Sequence, residues 1–385
     1  MEINETYLKA AEGCLYYNIP FALFALPGET DFTFFASLPD SEGCSPAFAE
    51  GDDGDTFFIN FFDNDEPYTA GVRRELSAEE VLEYVASCNP ADTFRDPDIY
   101  PLVSSTHRVS YANMFRGVMP RLKEFGGKVV ISRHEALFSP RPLLDVVCEY
   151  FQALPSTFRY LVYTPESGVW FAATPELLLR THSSCDCVET MSLAGTKLTS
   201  DTAPWDDKNV EEHEFVTEFI RDNLADEGLD VEVGSLCELQ FSHIKHLCNH
   251  IRATGHVDPL RLMSRLSPTP AVAGMPRDVS LVEIDTFETH CRRCYGGYVG
   301  VRLCGDYHAY VNLRCAFAAR ARTEIAEGWL YNLYAGGGIV NSSVEAEEWA
   351  EACSKTSLLE SLITKDVPSE MLVFTPSKIK FVGQT

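Results

Sequence analysis

Apolar residues follow two periodicities along this chain. Short runs rich in aromatic and β-branched residues, bounded by turn signals, are typical of strands. Strands are predicted at Phe21–Leu26, Thr56–Phe62, Lys128–Ser132, Phe158–Thr164, Val169–Ala172, Cys187–Ala194, Tyr298–Leu303, His308–Leu313 and Gly328–Ala335. Longer segments repeat apolar residues every three or four positions, which predicts helices. Helices are predicted at Ser139–Gln152, Lys208–Leu224, Pro259–Leu266, Ser280–Thr286 and Val344–Ile363.

The order of these elements predicts the fold class. Many short strands broken by single helices favour an α+β protein with packed antiparallel sheets. A doubly wound parallel sheet fits less well, because helices and strands do not alternate regularly. No repeat or linker divides the chain, so one domain over residues 1–385 is expected. The polar segments Ala49–Asp55 and Asp92–Pro101 are predicted to be surface loops.

Composition and charge restrict the possible partners. A chain of 385 residues that is 45% hydrophobic, with a mean hydropathy of −0.10, can bury a large core. The net charge of −26 argues against a nucleic acid or an anionic membrane as partner. It does not exclude a small anionic substrate, because a few nearby cations outweigh a distant acidic surface. Thirteen cysteines and no evident signal peptide or transmembrane run predict a cytoplasmic protein with reduced thiols, by default a monomer.

The predicted helix Lys208–Leu224 carries a carboxylate on its apolar face. Steps of three and four residues from Glu212 reach Phe215, Val216 and Phe219. A carboxylate directed at a core is costly unless something neutralises it. Alternatively, Glu212 lies at the edge of the apolar stripe, near the helix start, where the helix dipole favours it. The helix alone leaves both interpretations open.

The last predicted helix repeats this pattern. Glu348, Glu351 and Lys355 share one face, which continues into Leu359. Glu351 and Lys355, four residues apart, are also suited to an ordinary surface salt bridge. Two helices that each place a carboxylate on an apolar face together suggest Mg²⁺, which proteins hold through one or two carboxylates.

Three glycines, Gly336–Gly338, follow the predicted strand Gly328–Ala335. Their backbone can approach a ligand closely, and free amide groups there can hold a carboxylate; a bulge or tight turn is the alternative. A zinc site is disfavoured because no second Cys or His pair has the required spacing. The candidates considered for zinc were His243, His246, His250, Cys185, Cys187, Cys291 and Cys294.

Phrases in the C-terminal three-fifths of the chain resemble, in order, those of the chorismate-utilising enzymes. The phrases are Lys128–Arg133, Ala173–Arg180, Leu193–Thr196, Val210–Glu214, His246–Leu247, Pro268–Pro276, Tyr295–Gly300, Leu313–Ala316, Tyr334–Val340 and Glu348–Lys355. The resemblance covers residues 128–363, and residues 1–120 form a divergent part of the same domain. It implies two antiparallel sheets packed as a sandwich, with helices outside and a Mg²⁺-dependent site for chorismate.

The resemblance also implies roles for individual residues. Glu212 and Glu351, with Glu348 adjacent, match the metal ligands of the family. Arg314, Gly336 and Tyr295 match positions that hold the enolpyruvyl carboxylate. Lys355, Gly195 and Thr196 match positions around the ring carboxylate and the metal. His246 matches a histidine that lines the pocket.

Two positions bear on the nucleophile. Family members that use water have lysine at the position of Lys128, whereas the aminating anthranilate enzymes typically do not. Many aminodeoxychorismate synthases place a lysine at the position of Ala194. The resemblance therefore implies water attack at ring carbon 2, with Lys128 as base and Glu176 as the acid that protonates the departing C4 hydroxyl.

This combination implies isochorismate formation. Salicylate formation by further pyruvate loss, or a binding protein without activity, are the alternatives. The downstream use of the product, in menaquinone, siderophore or other synthesis, stays open. Two departures from the family pattern, Ser267 before Pro268 and the phrase Cys291–Cys294, are expected to lie beside the pocket.

Overall fold

A computed structural model describes residues 3–38, 47–48, 54–62, 69–88, 99–241 and 243–382. The helices in this part of the chain are α1 (Glu5–Tyr17), α2 (Ala78–Ser87), α3 (Arg108–Phe125), α4 (Leu143–Ala153), α5 (Asp207–Asp226), α6 (Pro259–Leu266), α7 (Arg277–Phe287), α8 (Glu345–Thr364) and α9 (Ser369–Leu372). No helix in these ranges has both the length and the apolar character needed to cross a bilayer.

The described strands form two antiparallel sheets. Their bounds are β1 (Phe21–Ala25), β2 (Thr33–Ala36), β3 (Thr56–Asn60), β4 (Thr69–Arg73), β5 (Lys128–Ser139), β6 (Phe158–Thr164), β7 (Gly168–Thr174), β8 (Leu177–His182), β9 (Cys187–Leu198), β10 (Asp230–Val233), β11 (Cys237–Phe241), β12 (Ile244–Thr254), β13 (Gly274–Met275), β14 (Tyr298–Leu303), β15 (Asp306–Val311), β16 (Cys315–Arg322), β17 (Glu327–Ile339) and β18 (Lys380–Phe381). The first sheet has the order β13-β5-β17-β16-β7-β6-β1-β2, with β18 on β16. The second has the order β10-β12-β9-β8-β15-β14-β3-β4, with β11 on β12.

The two sheets pack face to face over an aromatic core. Phe24, Phe158 and Trp170 of the first sheet and Phe57 and Tyr310 of the second are all buried in one cluster. The rings of Phe158 and Tyr310 stack across the interface with centroids 4.4 Å apart. Aromatic pairs of this kind add to the burial of apolar area that holds a sandwich together.

Helices cover the outer faces of both sheets. The outer face of the first sheet packs against α1, α2, α4 and α8, and the outer face of the second packs against α5 and α6. Helices α3 and α7 close the end where β5 and β17 pair. The predicted α+β sandwich is therefore confirmed.

Most predicted elements from residue 128 onward are present with shifted ends. Pro259–Leu266 and Tyr298–Leu303 have the predicted bounds, whereas the strand predicted at Lys128–Ser132 continues to Ser139. Helices α1, α2 and α3 were not predicted, and neither were strands such as β8 and β12. The predicted loops Ala49–Asp55 and Asp92–Pro101 lie mostly on residues outside the described part of the chain.

One local prediction was wrong. Gly336–Gly338 do not follow a strand but lie inside β17, where they pair with Val130, Ile131 and Ser132 of β5. Pairing with the neighbouring strand overrides the local turn signal of the glycines.

Candidate active site

A cavity lies at one end of the sandwich, where the chain passes from one sheet to the other. Pro175 and Glu176 connect β7 of the first sheet to β8 of the second, and residues 312–314 connect β15 back to β16. A hydrogen bond from the Val311 amide to the Glu176 carbonyl, 2.9 Å long, joins the two connections. Both Glu176 and Arg314 are thereby held at the cavity wall.

Nine of the twelve predicted site residues line this cavity. They are Glu176, Gly195, Thr196, Glu212, His246, Tyr295, Arg314, Gly336 and Lys355. The remaining three, Lys128, Glu348 and Glu351, lie directly behind these residues and contact the wall or its ion pairs. Ala194, Leu313 and Tyr334 supply apolar parts of the wall. The fold therefore brings all twelve residues to one place.

The glycines of β17 allow charged side chains to lie flat against the strand. Lys128 is fully buried, and its Nζ lies 2.9 Å from Oε1 of Glu212. At that distance the two groups form an ion pair, although the lysine nitrogen does not make a hydrogen bond of regular geometry. A β-carbon added at Gly338 would overlap both Glu212 and the Lys128 side chain. Glycine at this position is therefore required for the pair to reach the cavity.

We expect Gly338→Ala to reduce turnover strongly, because the new methyl group would displace Glu212 and Lys128. Gly337→Ala is the matched control, since the atom nearest to its added carbon would be Glu348 Oε2, at 3.3 Å, and the others lie at 4.0 Å. Circular dichroism should show that both variants are folded, and steady-state assays then compare their turnover. Equal activity of the two variants would contradict the claim that Gly338 makes room for Glu212 and Lys128.

A second ion pair joins α8 to α5. Oε1 of Glu348, a side chain that is 1% exposed, accepts a hydrogen bond of 2.6 Å from Nζ of Lys208. Its Oε2 is buried and forms no hydrogen bond of regular geometry within the described residues. Burial raises the pKa of Glu348, against the opposing charge of Lys208. The Ser343 side chain contacts this carboxyl group and also opposes the rise in its pKa. Lys208 was missed from the sequence, although it lies one helical turn before Glu212.

Glu351 is the third carboxylate of the site. Its Oε1 lies 2.9 Å from Nζ of Lys355, and the same Nζ donates to the Gly336 carbonyl at 2.8 Å. Burial pushes the pKa of Glu351 up, but Lys355 and Lys208 together outweigh it and hold the pKa below its ordinary value. Glu351 is therefore an ionised carboxylate at the edge of the cavity, tied to β17 through Lys355.

These residues fit a Mg²⁺ ion. Carboxylate oxygens are the ligands that this hard cation prefers, and Glu212, Glu348 and Glu351 supply them from two helices. The unpaired buried Oε2 of Glu348 is a polar atom whose burial is costly without a partner. The ammonium groups of Lys128, Lys208 and Lys355 now neutralise these carboxylates one by one.

His246 positions the guanidinium of Arg314. Its Nδ1 lies 2.8 Å from the Gly195 carbonyl, which can only accept, so Nδ1 carries the proton. Its Nε2 then accepts a hydrogen bond of 2.8 Å from Nη2 of Arg314. Burial, followed by the charge of Arg314, lowers the pKa of His246 to about 3, which keeps the ring neutral. Arg314 is thus a fixed cation aimed at the cavity.

The end of β9 is held from α5. Oδ1 of Asn209, a residue that sequence reasoning missed, accepts a hydrogen bond of 3.0 Å from the Thr196 amide. Gly195 has φ +68° and packs against Asn209, so any side chain there would be strained and crowded. These contacts present the Thr196 hydroxyl, which lies 3.3 Å from Nδ1 of His246.

Glu176 is a carboxylic acid rather than a carboxylate. Its side chain is almost completely buried, and burial raises its pKa to about 8, against the charge of Lys128 and a contact with Thr269. The Thr269 hydroxyl lies 3.5 Å from Glu176 Oε1, so the phrase Ser267–Pro270 reaches the site, and not merely its surroundings. Glu176 lies in the short connection between β7 and β8. A protonated, buried carboxyl group that faces a cavity is suited to donate a proton.

The proton on Glu176 predicts a pH profile. If Glu176 acts as an acid, turnover should be maintained below pH 8 and fall above it, because the carboxyl group loses its proton near its pKa of about 8. Steady-state rates against pH test this. In Glu176→Gln, the remaining rate should be low and should lack this alkaline decrease. A wild-type rate unchanged well above pH 8 would argue against an acid role.

The second departure from the family pattern lies behind Tyr295. The buried Arg292 guanidinium is 4.5 Å from the ring centre of Phe62 and 5.9 Å from that of Tyr295. It donates hydrogen bonds to the carbonyl groups of Val272 and Val130. Cys291–Cys294 therefore supports the wall at Tyr295 without lining the cavity.

Comparisons with known proteins agree with this fold and site. A family model described as chorismate binding enzyme matches residues 67–364. Isochorismate synthase MenF of Haemophilus influenzae is 28% identical over 236 residues, which are 58% of this chain and 52% of that protein. The salicylate biosynthesis isochorismate synthase of Pseudomonas aeruginosa is 30% identical over 318 residues, 77% of this chain and 58% of that protein. The chain spans about half the length of the curated relatives it matches.

A solved structure shows the same fold. The menaquinone-specific isochorismate synthase MenF of Escherichia coli superposes with a TM-score of 0.70 at 20% identity, over 92% of this chain and 91% of that one. The family model alone spans more than half of this chain and contains every residue of the cavity wall. On this match, the chain belongs to the chorismate binding enzyme family.

Proposed function

We propose that this protein is a Mg²⁺-dependent isochorismate synthase, an isomerase that interconverts chorismate and isochorismate. Membership of the chorismate binding enzyme family supports the substrate, and relatives named isochorismate synthase support the reaction. The observation that carries the proposal is Lys128, a fully buried amine beside Glu212 at the cavity. An amine there can accept a proton from water, and Ala194 in the wall offers no amine that could act as a nucleophile.

The charges of the site suit a small dianion. When Glu176 and the base Lys128 are both neutral, three cations balance three carboxylates; they are Lys208, Arg314 and Lys355 against Glu212, Glu348 and Glu351. A bound divalent cation would add two positive charges. This local excess outweighs the screened field of a chain whose net charge is −26. Attraction for a dianion is therefore compatible with an acidic protein.

Substrate binding is assigned to two groups of side chains. Arg314, fixed by His246, and Tyr295 would bind the enolpyruvyl carboxylate next to Gly336. Lys355, together with Gly195 and Thr196 of β9, would bind the ring end. Tyr295 supports this role because its ring stacks on Tyr334, with centroids 5.5 Å apart, in the cavity wall.

The chemistry exchanges one hydroxyl group for another. Lys128 takes a proton from water as the oxygen forms a bond to ring carbon 2, and the ring double bonds shift. The bond from carbon 4 to its hydroxyl breaks, and Glu176 gives that oxygen its proton, so water leaves. When bound to Glu212, Glu348 and Glu351, Mg²⁺ supplies positive charge that offsets the ring carboxylate. General acid and base assistance of this kind is worth about two to four orders of magnitude in rate.

One incubation tests the proposal. The protein with chorismate and Mg²⁺ should yield isochorismate alone by chromatography, and in water enriched in oxygen-18 the label should appear at carbon 2. Salicylate with pyruvate would show that elimination follows. Anthranilate formed with ammonia, or no turnover while chorismate still binds, would contradict the assignment.

A further inference from the structure

Strands β11 and β12 bring two thiols and an imidazole together outside the carboxylate site. Cys237 and Cys248 lie directly opposite each other in the antiparallel pair. His250 is two residues beyond Cys248 on β12, so all three side chains leave the same face of the sheet. The two sulfur atoms and a ring nitrogen of His250 all lie within 4.8 Å of one another. Among the described residues, no other His, Cys, Asp and Glu cluster has this closeness.

The cluster is accessible from one side and enclosed on the other. Cys248 is fully buried against Leu193 and Phe241, whereas Cys237 and His250 are exposed. His250 also lines a groove that runs along β8, β9 and β12 and meets the substrate cavity at Pro175. A small ion could therefore enter from solvent through the groove and reach the two sulfur atoms and the imidazole nitrogen, which already lie close together.

We propose that Cys237, Cys248 and His250 form a binding site for a thiophilic metal ion of the Zn²⁺ type, distinct from the Mg²⁺ site. Thiolate and imidazole are the ligands that zinc prefers, and three protein ligands leave a fourth position for water. Mg²⁺ does not compete, because it requires oxygen ligands. A Zn²⁺ ion there joins the edge strand β11 to β12, two residues along β12 from the substrate-facing His246.

The neighbouring charges and thiol chemistry shape this site. Burial raises the pKa of the Cys248 thiol to about 12, so metal binding must displace its proton. Affinity is therefore expected to rise with pH, and binding should release protons. Arg252, on the same face beyond His250, is directed away from the cluster, with its guanidinium 3.5 Å from the sulfur of Cys187.

A second close thiol pair is not an equivalent site. Cys185 and Cys187 have sulfur atoms 2.7 Å apart, but no third donor joins them within the described residues. The guanidinium of Arg252 beside Cys187 would also repel a cation. This pair therefore supplies a control for thiols that are close together without forming the proposed site.

Cobalt titration tests the site directly. The whole protein, reduced with a non-chelating phosphine and saturated with Mg²⁺, should show thiolate-to-cobalt charge-transfer absorption that saturates at one Co²⁺ per chain. Zn²⁺ should abolish that absorption and raise the melting temperature. Cys237→Ser and His250→Ala should each weaken Co²⁺ binding by at least about tenfold. Both positions are exposed, so these variants are expected to fold.

The control is Cys185→Ser, which should bind Co²⁺ as the unaltered protein does. Absence of charge-transfer absorption, or Co²⁺ binding that is unchanged in Cys237→Ser, would overturn the proposal. Absorption lost in Cys185→Ser would assign the metal to the other thiol pair and would overturn it equally. These readouts do not depend on turnover, so they remain separate from the test of the proposed function.

Discussion

Replacing Lys128 with alanine is expected to abolish hydroxyl exchange, with a loss of about two to four orders of magnitude in turnover. The reason is chemical: water at ring carbon 2 must give up a proton, and Lys128 is the buried amine beside the carboxylates of the cavity. The change also leaves Glu212 without its ion-pair partner at 2.9 Å, so some loss of stability is expected. The side chain of Glu212 keeps 12% exposure, which limits that cost.

Three measurements separate a lost base from a lost fold. Circular dichroism should show that Lys128→Ala retains the secondary structure. Isothermal titration calorimetry should show Mg²⁺ affinity no weaker than that of the unaltered protein, because the variant removes a cation from the carboxylates. Lys9→Ala is the control, since Lys9 is an exposed lysine on α1 that pairs with Glu5 on its own helix. Near-normal turnover by folded Lys128→Ala would refute the role of base.

The sequence could predict the carboxylates because helical periodicity is local. Glu212 and Glu351 each occupy a position on an apolar helix face, and the structure directs both to one cavity. Of the two open interpretations of Glu212, the structure supports the buried carboxylate, which has a cation, Lys128, beside it. That partner could not be read from the helix, because it lies 84 positions earlier, on the first residue of β5.

The connections between the two sheets were beyond sequence reasoning. Glu176 is buried, which favours its protonated form, because Pro175 and Glu176 connect β7 to β8 beside residues 312–314, which connect β15 to β16 in the opposite direction between the sheets. Local signals at Pro-Glu favour a helix start, and only the packing of two sheets makes this turn a buried corner. The position of Gly336–Gly338 inside β17 was missed for the same reason. The 13 residues of β17 stay extended because they pair with β5, although three glycines in a row favour a turn.

The remaining difference between the predicted and the observed elements lies in strands that carry many polar residues. β12 was not predicted, because polar residues such as His246, Asn249 and His250 interrupt its apolar residues. Its position between β9 and β11 fixes an extended backbone. Because side chains alternate along a strand, His246, Cys248 and His250 share the face that meets the cavity and the groove. Non-local pairing thus creates both sites on this strand.

Replacing Glu212 with glutamine is expected to weaken Mg²⁺ binding by at least about tenfold and to lower turnover in parallel. Glutamine keeps the shape of the side chain but loses the charge, and an amide is a poorer partner both for Mg²⁺ and for Lys128. Titration of Mg²⁺ by calorimetry and by activity should give the same shifted midpoint. High Mg²⁺ concentrations should restore part of the rate, which would not occur if the substitution had destroyed the cavity.

The neighbouring Glu211 supplies the matched control, because it lies on the same helix but is exposed. Glu211→Gln makes the same change of charge one residue nearer to the helix start and should leave the Mg²⁺ dependence unaltered. Unchanged Mg²⁺ affinity in Glu212→Gln would show that the ion, if bound, is held elsewhere. Together with Lys128→Ala, the pair of variants distinguishes the two partners of one ion pair: loss of the amine removes proton transfer but keeps the metal, whereas loss of the carboxylate removes the metal first.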